Sequence, residues 1–417
     1  MRTIKSIVAV FVFLTFFASN TLFAQTAADV QPISVNNAFN DDAIRHINND
    51  FDDVVARPVG PVNIKATAAD EIQYDSNIFW TPNNKKSDLI DVASPAIQLN
   101  MPLGVDQRGL VQLMYKADIG TFSNFKSQNY INQYAAFNSN YRLSFGYINV
   151  QDDFDHTVDR ASTEFTNEVE RTDNDASVAV GVKFNKLTME TGYTDELRTY
   201  QDDQFTPFNH TEDMVSETAL YQIFPKTQGF VEYDHGFITY DKNSGRSGDY
   251  DEELAGLKGN ITAKTQGIVK IGYQDRSYNA SSSPGFSGLI ANVGTITQFT
   301  SRTKLSLTYV QGAQESTYLN NNFYDMHYFY ATLDQKLMTR WSLQLLSGIS
   351  RNTYPEVDPT LFQKRQDSIL VAGTSLIYTF NQWASAKISY TFREDMSNIK
   401  SQSYNDHLWT AGFELKF

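Results

Sequence analysis

The sequence predicts an all-β fold, a transmembrane antiparallel up-and-down β-barrel of about 18 strands with a polar lumen. Three observations predict it. Apolar and polar residues alternate at every second position from about residue 62 onward, short and long connections alternate, and the last strand ends on Phe417. The composition agrees. The chain has 29 Phe, 23 Tyr and no Cys, yet its mean hydropathy is -0.40. An aromatic-rich but hydrophilic chain suits a wall with lipid on one side and water on the other.

Residues 1–24 read as a signal peptide. Arg2 and Lys5 precede the apolar run 7–17, and Leu22-Phe23-Ala24 offers a cleavage site before Gln25. That run is shorter than the roughly 20 residues of a spanning helix, and no later run reaches that length, so helical spanning is excluded. The absence of Cys removes lipid acylation, disulfides, thiol nucleophiles and thiolate metal sites together. The formal charge of -14, without clustered Lys and Arg, argues against nucleic acid as a partner.

Residues 25–61 are acidic and Asn-rich and read as a periplasmic lead-in with one short helix over 42–54. This segment is the candidate for contact with a periplasmic partner. Residues 62–417 form the barrel. In one strand Val269, Ile271 and Tyr273 alternate with Lys270, Gly272 and Gln274; in another Ala384, Ala386, Ile388, Tyr390 and Phe392 alternate with Ser385, Lys387, Ser389, Thr391 and Arg393. The segment 369–380 fits either register, and 230–234 places an aromatic in the polar face. Short turns at 225–227, 262–264, 337–339 and 381–382 alternate with long polar links at 152–173, 201–213, 279–289 and 354–364. Short periplasmic turns and longer outer loops give the barrel its orientation in a bacterial outer membrane.

The final segment alternates Trp409, Ala411, Phe413, Leu415 and Phe417 with Thr410, Gly412, Glu414 and Lys416. Its terminal aromatic resembles the signal read by the barrel-assembly machinery. Barrels of 16 to 18 strands leave an aqueous channel, so passage of a solute is the first functional expectation. The polar face assigns Lys116, Asp118, Glu190, Lys270, Arg276, Lys387 and Arg393 to the lumen. Most aromatics are read as the girdles that flank the apolar band, and none is nominated as a sugar platform.

The run Tyr74-Asp75-Ser76-Asn77-Ile78-Phe79, then Lys86-Ser87-Asp88 and Ser94-Pro95, resembles the opening of the β-barrel porin 2 family. Pro225-Lys226-Thr227 before Glu232-Tyr233, Gly256-Leu257 before Lys264-Thr265, and Arg393 with Ser397-Asn398 extend the resemblance over most of 62–417. At 298–303 the sequence lacks the Trp and Pro of the family pattern. The resemblance implies an outer-membrane exit channel for a secreted exopolysaccharide, working with periplasmic polysaccharide-export proteins. A general diffusion porin is the alternative, with 152–173 long enough to fold inward as a constriction. An outer-membrane hydrolase or receptor stands third.

No enzyme and no cofactor are expected. The six His are scattered, and no Gly-x-Ser-x-Gly or His-Glu-x-x-His motif is present. Asp152, Asp153, Asp155, His156 and Asp159 gather oxygen ligands of the kind Ca²⁺ takes, but a solvated acidic loop that meets lipopolysaccharide is the favoured reading.

Overall fold

The computed structural model describes Val54 and residues 56–417, apart from 105, 160–163, 165–167, 243, 244, 281, 282, 319, 320 and 360. The expected signal peptide and nearly all of the expected 42–54 helix lie outside the described residues. The described chain is almost entirely strand: β1 (Arg57–Val59), β2 (Val62–Asp75), β3 (Asp88–Leu103), β4 (Gly109–Phe122), β5 (Tyr130–Arg142), β6 (Gly146–Asp159), β7 (Val169–Phe184), β8 (Leu187–Tyr200), β9 (His210–Phe224), β10 (Thr227–Tyr240), β11 (Gly248–Asn260), β12 (Thr265–Tyr278), β13 (Phe286–Thr300), β14 (Thr303–Glu315), β15 (Phe323–Lys336), β16 (Trp341–Val357), β17 (Lys364–Asn381), β18 (Ala384–Ser397) and β19 (Tyr404–Lys416). From β2 to β19 each strand pairs antiparallel with the next, and β19 pairs back onto β2 from Leu408↔Asp75 to Lys416↔Thr67. The result is a closed barrel of 18 strands, as the sequence predicts.

The closure reaches the last residue. Phe417 N–H donates to Ala66 O at 2.8 Å, and Ala66 N–H donates to Phe417 O at 3.1 Å. Beyond that point β1 takes over the same edge of β2, pairing Arg57↔Ile64 and Val59↔Val62 around a turn in which Gly60 has φ +61°. No edge of β2 is left open to lipid, which a spanning sheet requires.

The short turns fall where the alternation places them, at 225–226, 261–264, 337–340 and 382–383. The long links are shorter than the sequence reading. Strands β6 and β7 consume most of 152–173 and leave 160–168; β16 runs to Val357 and leaves 358–363. The reason is physical. At these strand ends both faces carry polar residues, so the alternation vanishes while the backbone ladder continues, for example Asp153↔Asp175 and Phe154↔Asn174.

Period two separates two faces. On one lie Ile72, Val231, Ile271, Leu289 and Ile388, each more than half exposed. Along it Tyr193, Tyr233, Tyr273 and Trp409 stand at mid-strand or nearer the long-loop end, while Phe184, Tyr221, Trp341 and Phe413 stand toward the short-turn end. This face is the lipid-contacting wall with its two aromatic girdles. The other face looks inward. Strand β17 is apolar on both faces, with Ile369 buried inside and Leu376 and Phe380 outside, which is why its sequence fits either register. Phe230 points inward and is buried with Leu220 and Ile268.

The lead-in ends inside the barrel. Val54 is 5 % exposed and packs on Ala96, Met114, Tyr134 and Ala136, all on the inward face of β3 to β5. The segment entering β1 therefore touches the lumen wall.

Deleting Phe417 removes both closing backbone bonds, a loss of about 1–3 kcal/mol at 0.5–1.5 kcal/mol each. Phe417→Ala keeps both. The heat-modifiable folded band on cold gels should fall more for the deletion than for Phe417→Ala in refolding from urea; equal loss would place the terminal aromatic ring, not closure, in control.

Candidate functional site: the lumen and its outer mouth

The seven residues assigned to the lumen all fall in inward rows, opposite in parity to the exposed apolar ones. They do not form one cluster. Lys116 Nζ lies 3.5 Å from Asp118, whose Oδ1 accepts from Ser94 Oγ at 2.5 Å. Glu190 accepts from the Tyr147 hydroxyl. Lys270 meets Glu232 at 2.7 Å, and Lys387 meets Glu71 at 2.6 Å across the closing strands. Arg393 stacks 4.1 Å over the ring of Trp80, itself stacked on Tyr404. The lumen wall thus carries its charges as local pairs spread round the barrel. Such pairs hold long side chains against the wall.

Arg276 belongs to a denser cluster near the outer end. It donates to Glu315 at 2.7 Å and approaches Glu212 at 3.8 Å, with its guanidinium 4.6 Å over the Tyr250 ring. Tyr240 and Tyr278 also donate to Glu315, at 2.5 and 3.0 Å, and Tyr250 donates to Glu212 at 2.5 Å. Arg276 and Glu315 are each about 5 % exposed, so the pair is desolvated, and Glu315 accepts from several sides.

Glu315 reaches this cluster because its strand leaves the wall. The β13–β14 ladder stops at Ala291↔Gln311, whereas β14 continues to Glu315 paired with β15 alone. Gln311 Nε2 caps the next carbonyl, that of Leu289, at 3.2 Å. The freed β14–β15 tip turns inward: Ala313 and Phe323 bury against Ile290, Phe286, Tyr278 and Leu254 of the inner wall. Arg246 then donates to the carbonyls of Asn321 at 2.9 Å and Asn322 at 3.0 Å, and to that of Ser316. Tyr318 donates to Asp358 at 2.6 Å, and Glu164 accepts from Thr317 N–H at 2.7 Å. The tip therefore lies against the inner wall near the outer end. Most of the loop that remains of 152–173, expected from the sequence to be long enough for a constriction, lies outside the described residues, and its Glu164 contacts the tip.

Some tyrosines face the lumen instead of the girdles. Tyr130, Tyr147, Tyr250 and Tyr330 point inward, each directly across the ladder from a glycine: Gly120, Gly181, Gly236 and Gly348. A methyl on Gly181 would stand 2.3 Å from the Tyr147 ring, and one on Gly348 would stand 2.9 Å from that of Tyr330. Each ring lies flat over the bare backbone of its neighbour, as aromatic side chains do when they cover a strand glycine. Sequence alone hides this, since Tyr serves girdle and lumen equally; the Gly–Tyr pairing appears only once register is known.

The acidic run is split by the alternation. Asp152 and His156 fall in the outward rows, while Asp153, Asp155 and Asp159 face inward. They do not converge on one ion.

A continuous closed wall with a wet inward face and two aromatic girdles is the architecture of a porin. The chain belongs to the family described as Putative beta-barrel porin 2, which it matches over residues 54–417. It is a porin-type β-barrel of the outer membrane. Among solved structures it is similar to the outer membrane protein OpdK from Pseudomonas aeruginosa, at 10% identity, 85% of this chain, 99% of that chain and TM-score 0.45. It is also similar to OccAB4 from Acinetobacter baumannii, at 10% identity, 86% and 99% coverage and TM-score 0.45. The siderophore receptor PirA from Pseudomonas aeruginosa aligns at 6% identity, 87% and 81% coverage and TM-score 0.42. No curated protein matches the chain.

Two substitutions test the site. Glu315→Ala strips Arg276 of its nearer carboxylate and should destabilise the fold by about 2 kcal/mol, less than the 3–5 kcal/mol of a fully orphaned buried charge because Glu212 remains. It should also raise single-channel conductance by releasing the tip; unchanged conductance with lowered stability would show that the tip does not limit flow. Gly181→Val should push the Tyr147 ring off the wall and lower conductance without loss of the folded band.

Proposed function

We propose that this barrel is a diffusion channel for small hydrophilic solutes across the outer membrane. The observation that carries the reading is the inward row itself. It places charged pairs, amides and hydroxyls on every side of the barrel, including Lys116 with Asp118, Lys270 with Glu232 and Lys387 with Glu71. Such a lining replaces water around a polar solute without holding it, and a tip that narrows the mouth limits the size that passes. The seven inward residues named from the sequence line that path. Export follows the signal peptide at 1–24 in this reading, and the assembly machinery reads the strand ending at Phe417.

Passage of a secreted polysaccharide is the second reading. The flat inward rings of Tyr130, Tyr147 and Tyr330 favour it, because a sugar ring slides over an aromatic face with little cost. The buried β14–β15 tip weighs against it, since a polymer would have to displace the Glu315 and Arg246 bonds along its whole passage.

Two measurements separate these readings. Liposomes holding the refolded chain should swell in arabinose and swell more slowly in a trisaccharide. A deletion strain should still release its extracellular polysaccharide. Swelling no faster than in empty liposomes, with polymer retained in the periplasm and released again by the intact gene, would favour the export channel.

A further inference from the structure

Followed toward the N-terminus, β1 climbs the wall from the short-turn rim, because it runs antiparallel to β2 from Val59↔Val62 to Arg57↔Ile64. It cannot climb further along that edge. From Ala66 upward the edge of β2 is taken by Phe417 and the rest of β19, and the Arg57 guanidinium stays at the rim, 5.4 Å over the ring of Trp383 in the 382–383 turn. The chain therefore leaves the sheet, and Val54 shows which way it goes. It lies inside, against Ala96, Met114, Tyr134 and Ala136. Ala96 is eight residues from the outer end of β3 and seven from its short-turn end. At about 3.3 Å per residue and the usual strand tilt, Val54 sits about 15 Å above the rim, near mid-lumen. Everything before Val54 has to start from there.

The wall around Val54 is shaped and charged to hold more of the segment. Ala96 and Ala136 flank Met114 with small side chains, which leaves an apolar hollow that Val54 fills. Ala96 stands across the ladder from Lys116, itself 3.5 Å from Asp118, and the next inward residue of β3, Gln98, stands across from Lys65. Two lysines thus border the hollow, and the residues before Val54 are Asp52 and Asp53. Gln98 is 5 % exposed, and its Oε1 accepts no hydrogen bond among the described residues. A backbone N–H laid over the wall would satisfy it. The sequence upstream fits the same surface. Ile44, Ile47 and Phe51 precede Val54 at intervals of three, four and three, so in the short helix expected over 42–54 all four share one face and Asn49 takes the opposite one. A helix is about 10 Å across, and a wall of 18 strands leaves an aqueous channel that can take one.

We propose that residues 25–53, expected from the sequence to be a periplasmic lead-in, lie in the lumen of their own barrel against β2 to β5 and form a built-in plug that narrows the channel. Val54 seats the plug in the apolar hollow, Asp52 and Asp53 pair with Lys65 and Lys116, and Ile44, Ile47 and Phe51 rest on the wall. The effect on flow rests on the channel reading above. The position of the segment does not.

The chain has no Cys, so one introduced thiol reports its own surroundings. In the full mature chain carrying Asn49→Cys and folded in liposomes, a small maleimide should react, whereas a maleimide on a polyethylene glycol chain too bulky for the lumen should react only after heating in detergent. In planar bilayers the variant lacking 25–53 should conduct about twofold more than the full mature chain. Val54→Asp keeps the segment but puts a carboxylate in the hollow, and should shift conductance the same way. Labelling of the folded protein by the bulky reagent as fast as by the small one places the segment outside the barrel, open to a periplasmic partner, and overturns the proposal. Unchanged conductance in a deletion variant that keeps its folded band overturns it as well. A protected thiol with no current from either chain keeps the segment in the lumen and overturns the channel reading instead.

Discussion

Closure of the hydrogen-bond ladder is the constraint on which everything else here depends. In a bilayer no water reaches a strand edge, so each unpaired N–H or C=O costs several kcal/mol, and a spanning sheet has to meet itself. The chain meets itself where β19 finds β2, and the last bonds are made by Phe417, the terminal residue. Once the ring is closed, the period of two is no longer a local preference. It becomes a global sorting rule, because a slip of one residue in any strand would send its whole inward set to lipid.

That rule explains what was legible. Strands such as 268–276 and 384–393 alternate because one face meets lipid and the other water, and their register follows directly. The pattern fades wherever both sides meet the same environment. In β17 both faces are apolar, with Ile369 packed inside and Leu376 facing lipid, so composition cannot say which is which. Above the bilayer both faces of β6 and β7 are wet, so Asp152 and Asn174 look like loop residues although their backbone is paired. Tyrosine is ambiguous everywhere, being at home at a membrane interface and beside water. Only the cross-strand glycine, four times over, distinguishes the lumen rings, and two residues that meet across a ladder are far apart in sequence.

The inward-turned β14–β15 tip was illegible for a different reason. Its defining feature is a bond that is not made, the ladder between β13 and β14 above Ala291↔Gln311. Nothing in 312–316 announces that omission. The energetic compensation is likewise distributed. Apolar burial of Phe323 and Ala313, the Arg276 and Glu315 pair, and three carbonyls held by Arg246 come from strands and loops that are distant in sequence. Each is ordinary alone, and their convergence is a property of the closed ring.

The same ring converts an acidic composition into a directional property. A soluble protein with an excess of Asp and Glu spreads them over its whole surface and gains solubility from them. A barrel has a second surface, concave and shielded, where field lines between low-dielectric walls are focused. Inward carboxylates on β6 to β8 outnumber Arg171 and Arg198 among them and contribute to that inner field. Tyr130, Tyr147, Tyr250 and Tyr330, each across the ladder from a glycine, lie against the wall and narrow the lumen less than an extended rotamer would. Charged pairs and aromatic rings are thus both built into the inner wall. A solute then orients by the same forces that sort residues between core and surface in any fold.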